Sequence, residues 1–376
     1  MPARPAVPNT RDNWSRDRVK HYVRLHGWCP ACKHRARAVR AVRARNAEPL
    51  RYFTLCAAAA VDVFMLDRLD ILPRDNATNR LRVYWCESNG REYADIEDQV
   101  GGIGFLGKLE DILLFEDDDD TRNYTLDDEP PLEVRRKLIL KDRNSRLREA
   151  FPFDILNLDF CGQFFPPHSP VSSPMLRSID RIMEWQAQAG TVTCPAFTLL
   201  LTTCVRRDGN PEAMDELTER LRGNLEESGA FKESYSRSFG DLDPRSLRSD
   251  SLPTFFALSF PKAIASSALE RDWCAVHEDT FLYERRPNQP RKSYWMLSWI
   301  AHFERLDKPA SRIGRSRFQD QSAQYERAIT AIIEKGYVNV REELRTRSVE
   351  ERTSADLDAV IDHRNRYLAA IRDGSA

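Results

Sequence analysis

The sequence of 376 residues has only 15 glycines, and none of them builds the Gly-x-x-x-x-Gly-Lys-Ser/Thr loop that cradles nucleotide phosphates. It also lacks a His-Glu-x-x-His helix and a Gly-x-Ser-x-Gly elbow, so zinc-protease and serine-hydrolase readings have no carrier. No apolar run approaches the length of a membrane span, and the opening Met1-Pro-Ala-Arg-Pro lacks a signal peptide's apolar core. There is little net charge, with 57 Lys/Arg against 58 Asp/Glu. The eight cysteines are scattered, several inside apparent strands, so reduced thiols and a cytoplasmic compartment are expected. No internal repeat is present. A hydrophobic content of 41% fits a globular chain with one main domain and appendages.

The near-zero net charge hides a strong polarity. Arg11 to Arg51 holds 12 Lys/Arg against 3 Asp/Glu, a net of +9, whereas Glu87 to Glu133 holds 3 against 16, a net of −13. A basic amino-terminal arm points to nucleic acid or to an acidic protein surface, its own acidic segment included. Arg35, Arg37, Arg40, Arg43 and Arg45, interleaved with Ala and Val, are the candidate phosphate contacts. The run Glu116–Asp120 reads as a solvated acidic loop rather than a cation site.

Residues 13–45 read as helical with an interruption at Gly27-Trp-Cys-Pro30. Arg51–Cys56 reads as the first strand, four alanines (57–60) as a turn, and Asp62–Leu72 as a helix with Asp62 as its cap. Leu81–Cys86, ending at Glu87, reads as a second strand and Phe105–Leu114 as a third, with Glu110 and Asp111 near its end. The stretch 116–150 reads as a charged surface insertion. Ile155–Leu158 is the fourth strand, followed by a helix over 175–189. Phe197–Val205 is the clearest strand, followed by helices over 211–227 and 254–270. Thr280–Glu284 and Tyr294–Glu304 make a hairpin, and from Lys308 the chain reads as polar helices broken around 336–339 and 345–355. Three segments follow: a basic helical arm (1–49), an α/β domain (50–306) with its acidic insertion at 116–150, and a helical extension (307–376). The last is a candidate surface for a protein partner or a second copy.

Within this order, Phe151-Pro-Phe-Asp-Ile-Leu-Asn-Leu-Asp-Phe-Cys-Gly162 carries most chemistry. Asp159, Phe160 and Gly162 are expected just beyond the strand's carboxyl end, where open α/β sheets bind ligands. A carboxylate beside a flat aromatic suits a planar, hydrogen-bond-donating amine or nucleobase. His168 follows as a candidate base. In the arm, Cys29-Pro-Ala-Cys32 offers two thiolates at zinc-ligand spacing; the further ligands would come from His21, His26 or His34 nearby, or from Cys274 with His277, which repeats that spacing and would complete four. The same Trp28-Cys-Pro-Ala-Cys-Lys33 also has thioredoxin-type redox spacing, without the strand that should precede it.

The strand–helix order with a closing hairpin resembles the class I S-adenosylmethionine-dependent methyltransferases over about residues 50–306. The resemblance implies an α/β, Rossmann-like, mostly parallel seven-stranded sheet with a terminal antiparallel hairpin, flanked here by helical extensions. It further implies that Cys56 and Ala58 in the first loop, Glu87 and Asp111 hold S-adenosylmethionine, Glu87 at the ribose and Asp111 at the adenine. Asp159 and Phe160 would hold an acceptor amine or base, with nucleic acid as the substrate class. Asp159-Phe-Cys-Gly162 also resembles a motif of three-Cys-motif partner proteins. The family's first loop is glycine-rich, whereas here it is Cys56-Ala-Ala-Ala-Ala60, and Phe160 and Cys161 stand where prolines are usual. A fold kept without its chemistry, binding nucleic acid or protein as a scaffold, is the alternative.

Overall fold

The computed structural model describes residues 17–43, 48–57, 59–116, 131–167, 173–189, 195–285, 294–306 and 317–373. The chain is a mixed α/β protein built on an open, mostly parallel sheet. The strands are β1 (Tyr52–Leu55), β2 (Tyr84–Glu87), β3 (Ile103–Leu106), β4 (Ile155–Gln163), β5 (Ala196–Val205), β6 (Trp273–Arg285), β7 (Tyr294–Arg305) and β8 (Val338–Asn339). They lie in the order β3-β2-β1-β4-β5-β7-β6-β8. β1 to β5 run parallel, β7 is antiparallel to both its neighbours, and β8 is parallel to β6.

Side-chain alternation splits the core across the sheet. Phe53, Leu156, Leu158, Leu199, Leu201, Leu297 and Trp299 point to one face. There they meet helices α7 (Pro174–Ala189) and α11 (Leu252–Glu270). Tyr52, Ile155, Leu200, Met296, Ile300 and Phe281 point to the other. That face is covered by α3 (Val61–Arg68), by the arm and by the carboxyl-terminal helix α14 (Arg347–Arg372). Between these lie α4 (Gly90–Val100), α5 (Leu109–Leu113), α6 (Leu132–Glu149), α8 (Pro211–Glu227), α9 (Gly229–Phe239) and α10 (Pro244–Asp250), then α12 (Arg317–Lys335) and α13 (Val340–Glu343).

The expected interruption of the arm is absent. Arg18–Val23 (α1), a π-turn over Arg24–Trp28 and Cys29–Arg43 (α2) form one continuous rod. Pro30 lacks an amide hydrogen, and the wider π ring just before it, closed by Cys29 N–H to Arg24 O, lets the helix pass. The rod lies close on the sheet. A Cβ on Gly27 would come within 2.5 Å of the Phe281 ring and 2.6 Å of Ile300, so only glycine fits there without a shift.

One other expectation fails locally. Residues 109–113 are helical, because β3 ends at Leu106, before Gly107 (φ 141°), and Leu109, Ile112 and Leu113 share one buried face. Glu110 and Asp111 therefore sit in a helix's first turn. In the charged stretch, residues 117–130 are outside the described set, and Leu132–Glu149 is an 18-residue helix.

The carboxyl-terminal extension packs on its own chain. α14 buries Leu357, Val360 and Tyr367 against the arm's side of the sheet, and His363 Nε2 sits 2.7 Å from Asp67 Oδ2. These apolar residues are engaged internally.

Candidate functional site

β4 is longer than its apolar run. Pairing with β5 continues past a register shift between Asp159 and Gln163, ending at Gln163 opposite Cys204. Asp159 and Phe160 thus lie inside the strand, midway along it, on opposite faces. Phe160 is 5% exposed and packs edge-on against Phe164 at 5.8 Å. It belongs to the core of the far face and cannot stack on anything held by Asp159. Tyr283, on Asp159's own face, is buried beside it. Burial raises the Tyr283 phenol well above its ordinary pKa, with Asp159 and Asp17 adding to the shift.

Asp159 does not stand open. Its Oδ2 accepts an ion-paired hydrogen bond from Lys20 Nζ of α1, and its Oδ1 is buried without a partner. Beside it Thr202 Oγ1 donates to Ser298 Oγ at 3.1 Å, and Trp28 Nε1 of the arm donates to the same oxygen at 3.1 Å. One turn beyond Lys20, Arg24 is 7% exposed, lies over the Trp28 ring at 5.8 Å, and has Nε and one terminal nitrogen unpaired. The layer around Asp159 is therefore buried and polar, roofed by α1 and the π-turn.

Next to it, the turn after β1 ends with Ala60 in the left-handed region at φ 43°. No side chain caps α3, so Asp62 is not the expected cap. Instead Asp62 Oδ2 accepts from Tyr52 OH (2.9 Å), Thr54 Oγ1 (2.9 Å) and Asn157 Nδ2 (2.8 Å), binding β1, β4 and α3 into one buried hub. Cys56 is buried beside it. Desolvation, then Asp62 and Glu87, raise its thiol well above the usual range, so it stays neutral. Ala58 lies outside the described residues.

Glu87 ends β2, where the sequence placed it. Its Oε1 accepts from Asn89 N–H at 2.7 Å and from Ser88 Oγ at 3.3 Å, shaping the turn into α4, whose cap is Asn89. Gly107 follows β3 and donates its N–H to Glu87 O at 2.9 Å, joining the two loops. Asp111 is exposed on α5, whereas Glu110 is the α5 acid that influences the buried Cys86 thiol. Cys56, Asp62 and Glu87 thus converge at one end of the sheet, with Asp159 on the adjoining strand. His168 is outside the described residues.

The cysteine motif resolves differently. Cys29 and Cys32 are buried in α2; burial pushes Cys29 up to about 12 and Cys32 well above the ordinary thiol value. The charged neighbours of Cys274 are Glu304 and Arg327, whereas those of Cys29 are Asp356, Lys33, Arg68 and Arg24. Among the described residues no group of three or more His, Cys, Asp or Glu side chains could hold a metal, so Cys29, Cys32 and Cys274 do not converge. The side chain of His277 is outside the described set.

The basic helix also divides. Arg43 grips Asp154 with two bonds of 2.9 Å, Arg35 adds a third at 3.2 Å, and Arg51 N–H a fourth at 2.9 Å. Asp154 is 0% exposed, and both arginines are buried with it. They fasten the arm to the amino end of β4 and are withheld from any phosphate. Arg37 and Arg40 remain exposed, the latter with Asp70 O as an acceptor. Arg45 is not described.

The interactions that sequence reasoning missed join positions far apart in the chain: Lys20 to Asp159, Arg43 to Asp154, and His21 to Asp356. Only Asp62, an acid directly after a run of small residues, carried a local signal.

A family model described as PP_RS20740-like matches residues 142–252, from late α6 through β4, β5 and the helices to the start of α11. No curated protein and no solved structure matches the chain.

Proposed function

We propose that the chain is an S-adenosylmethionine-dependent methyltransferase of the class I type, acting on an amine or nucleobase, with nucleic acid as the substrate class. The observation that carries this reading is the strand order β3-β2-β1-β4-β5-β7-β6 with β7 alone reversed among them, which agrees with the seven-stranded Rossmann-like arrangement of that family. Ligands of open α/β sheets bind beyond the carboxyl ends of the strands, where Glu87 ends β2; Asp62 lies over β1 and β4, and Asp159 is midway along β4.

The donor set fits a nucleoside on one side. Glu87 is a strand-end carboxylate of intermediate exposure with one oxygen committed to its own turn, leaving the other for a ribose hydroxyl. The backbone of Cys56–Ala60 would pass beneath the methionine portion, and the α5 end would border the adenine. When bound, S-adenosylmethionine supplies an electrophilic methyl group on a sulfonium. Asp159 would accept a hydrogen bond from the acceptor's N–H, align its lone pair for in-line attack, and pass on the proton that methylation releases. Its free Oδ1 supports that role. Lys20 must give way for an acceptor to reach Asp159.

A second reading has its own support. The Lys20–Asp159 pair under the arm and the burial of Phe160 are what a silent scaffold that binds nucleic acid or protein would show. Transfer of labelled methyl from S-adenosylmethionine to single-stranded nucleic acid separates the two. The enzyme reading expects incorporation that Asp159→Ala reduces by about 100-fold or more. Incorporation unchanged by the substitution contradicts Asp159's role, and none from the wild-type chain favours the scaffold.

A further inference from the structure

The opposite, amino ends of the strands hold a second cleft, of about 740 Å3. It is bordered by the residues that lead into β1, β2, β3 and β4, among them Arg51, Arg80, Arg82, Gly101 and Pro152. It is thus a full strand length from Glu87, which ends β2. Its volume lies within the range of small-molecule sites, roughly 300–1,000 Å3.

Its chemistry is unusual for a structural seam. The Arg51 guanidinium lies over the Tyr84 ring at 5.8 Å, with one long hydrogen bond to Phe151 O at 3.5 Å. Among the described residues the Arg80 side chain reaches only Asp98 O, also at 3.5 Å, and it crosses Gly101, where a Cβ would come within 3.2 Å of it. Arg82 makes no side-chain hydrogen bond or ion pair with another described residue. The fourth arginine, Arg43, is committed to Asp154.

The acids of the cleft neutralise this only in part. Asp75 Oδ1 is occupied by Ala77 N–H, Thr78 N–H and the Thr78 hydroxyl, and these hydrogen bonds hold its carboxyl below the usual range. Glu48 leans toward Arg43 at 3.8 Å. Glu97 remains on the rim.

One wall is held in place from behind. The loop carrying Arg80 and Arg82 is tied to α14 by Tyr367 OH, which accepts from Leu81 N–H at 3.3 Å. Arg74 lies over the Tyr367 ring at 5.0 Å and pairs with Asp67 at 2.7 Å. The arginines therefore sit on an anchored rim.

We propose that this cleft binds a nucleotide. Its flat base would lie on the Arg51–Tyr84 stack, its phosphate would be held by Arg82 and Arg80, and Glu97 would accept from a ribose hydroxyl or an exocyclic amine. The same chemistry serves a free nucleotide or the 5′-phosphorylated end of a strand. The site does not depend on the carboxyl-end reading.

Calorimetric titration with AMP, adenosine, inorganic phosphate and 5′-phosphorylated single-stranded oligonucleotide tests it. Wild type, Arg82→Gln, Arg51→Gln and Glu87→Ala are compared, with folding of each variant checked by thermal unfolding. The expected result is saturable AMP binding, stronger than that of adenosine or phosphate. It weakens about tenfold or more in Arg82→Gln and Arg51→Gln and is unchanged in Glu87→Ala. Tighter binding of the oligonucleotide with the same variant sensitivity assigns the site to a strand end; tighter AMP binding assigns it to a free nucleotide. AMP binding that survives both arginine substitutions, equals phosphate binding, or is absent overturns the proposal.

Discussion

One acid stands just before β4 and another midway along it, and the two could hardly be treated more differently. Asp154, at the amino end, receives two bonds from Arg43, one from Arg35 and one from the Arg51 amide, and it is fully buried. Asp159, five residues on, receives one ammonium and keeps an oxygen without a partner. A buried charge is tolerated in a framework only when its hydrogen-bonding capacity is filled. Asp154 meets that condition and is a fastening for the arm. Asp159 does not, and a buried acid left half-satisfied calls for a functional explanation.

The contrast breaks if both acids respond alike to substitution. Asp154→Ala removes the buried carboxylate that holds both guanidinium groups, and urea unfolding should show a loss of about 3–5 kcal/mol. A loss below 1 kcal/mol, within the range of surface changes, would remove the idea of a clamp.

His302 belongs to the same amino-end layer. It is buried near Arg35, with Thr198 Oγ1 3.4 Å from its Nδ1. Desolvation, then Arg35 and His34, lower its pKa from 6.5 to about 4. Between these values the unfolded chain binds the proton and the folded chain does not, so stability is full above pH 6.5 and falls as pH drops toward 4. The loss attributable to this group approaches about 3 kcal/mol. Stability against pH should therefore be less steep over that window in His302→Gln; an unchanged slope would mean the imidazole already ionises in the folded chain.

Lys20→Met sharpens the other half of the comparison and has the smallest effect. Because the Asp159 side chain keeps 14% exposure, the loss should be about 1–2 kcal/mol, well below that of Asp154→Ala.

Much of the framework was legible in the residues. β5 announces itself by ten consecutive positions buried on both faces, and the hairpin strands by apolar runs on either side of a proline-containing turn. The carboxyl end of β4 was not, because Asp159 to Gly162 breaks the apolar pattern while backbone pairing to β5 continues. Residues 109–113 read as strand because five residues are too few for periodicity to separate helix from strand. The arm's continuity rested on a π-turn that no propensity announces. Glu87 could be placed from its strand alone. The state of Asp159 could not, because Lys20 is 139 positions away. The arginines of α2 looked like one basic face, yet a helix turns 100° per residue, so Arg35 and Arg43 face the sheet while Arg37 and Arg40 face out.

The central claim, that the chain holds a nucleoside cofactor at Glu87, is tested most directly by calorimetric titration with S-adenosylmethionine and S-adenosylhomocysteine. Saturable binding to the wild-type chain, lost in Glu87→Ala while Arg82→Gln binds normally, is the predicted result. Absence of binding by folded wild-type protein, or binding indifferent to Glu87, would contradict it.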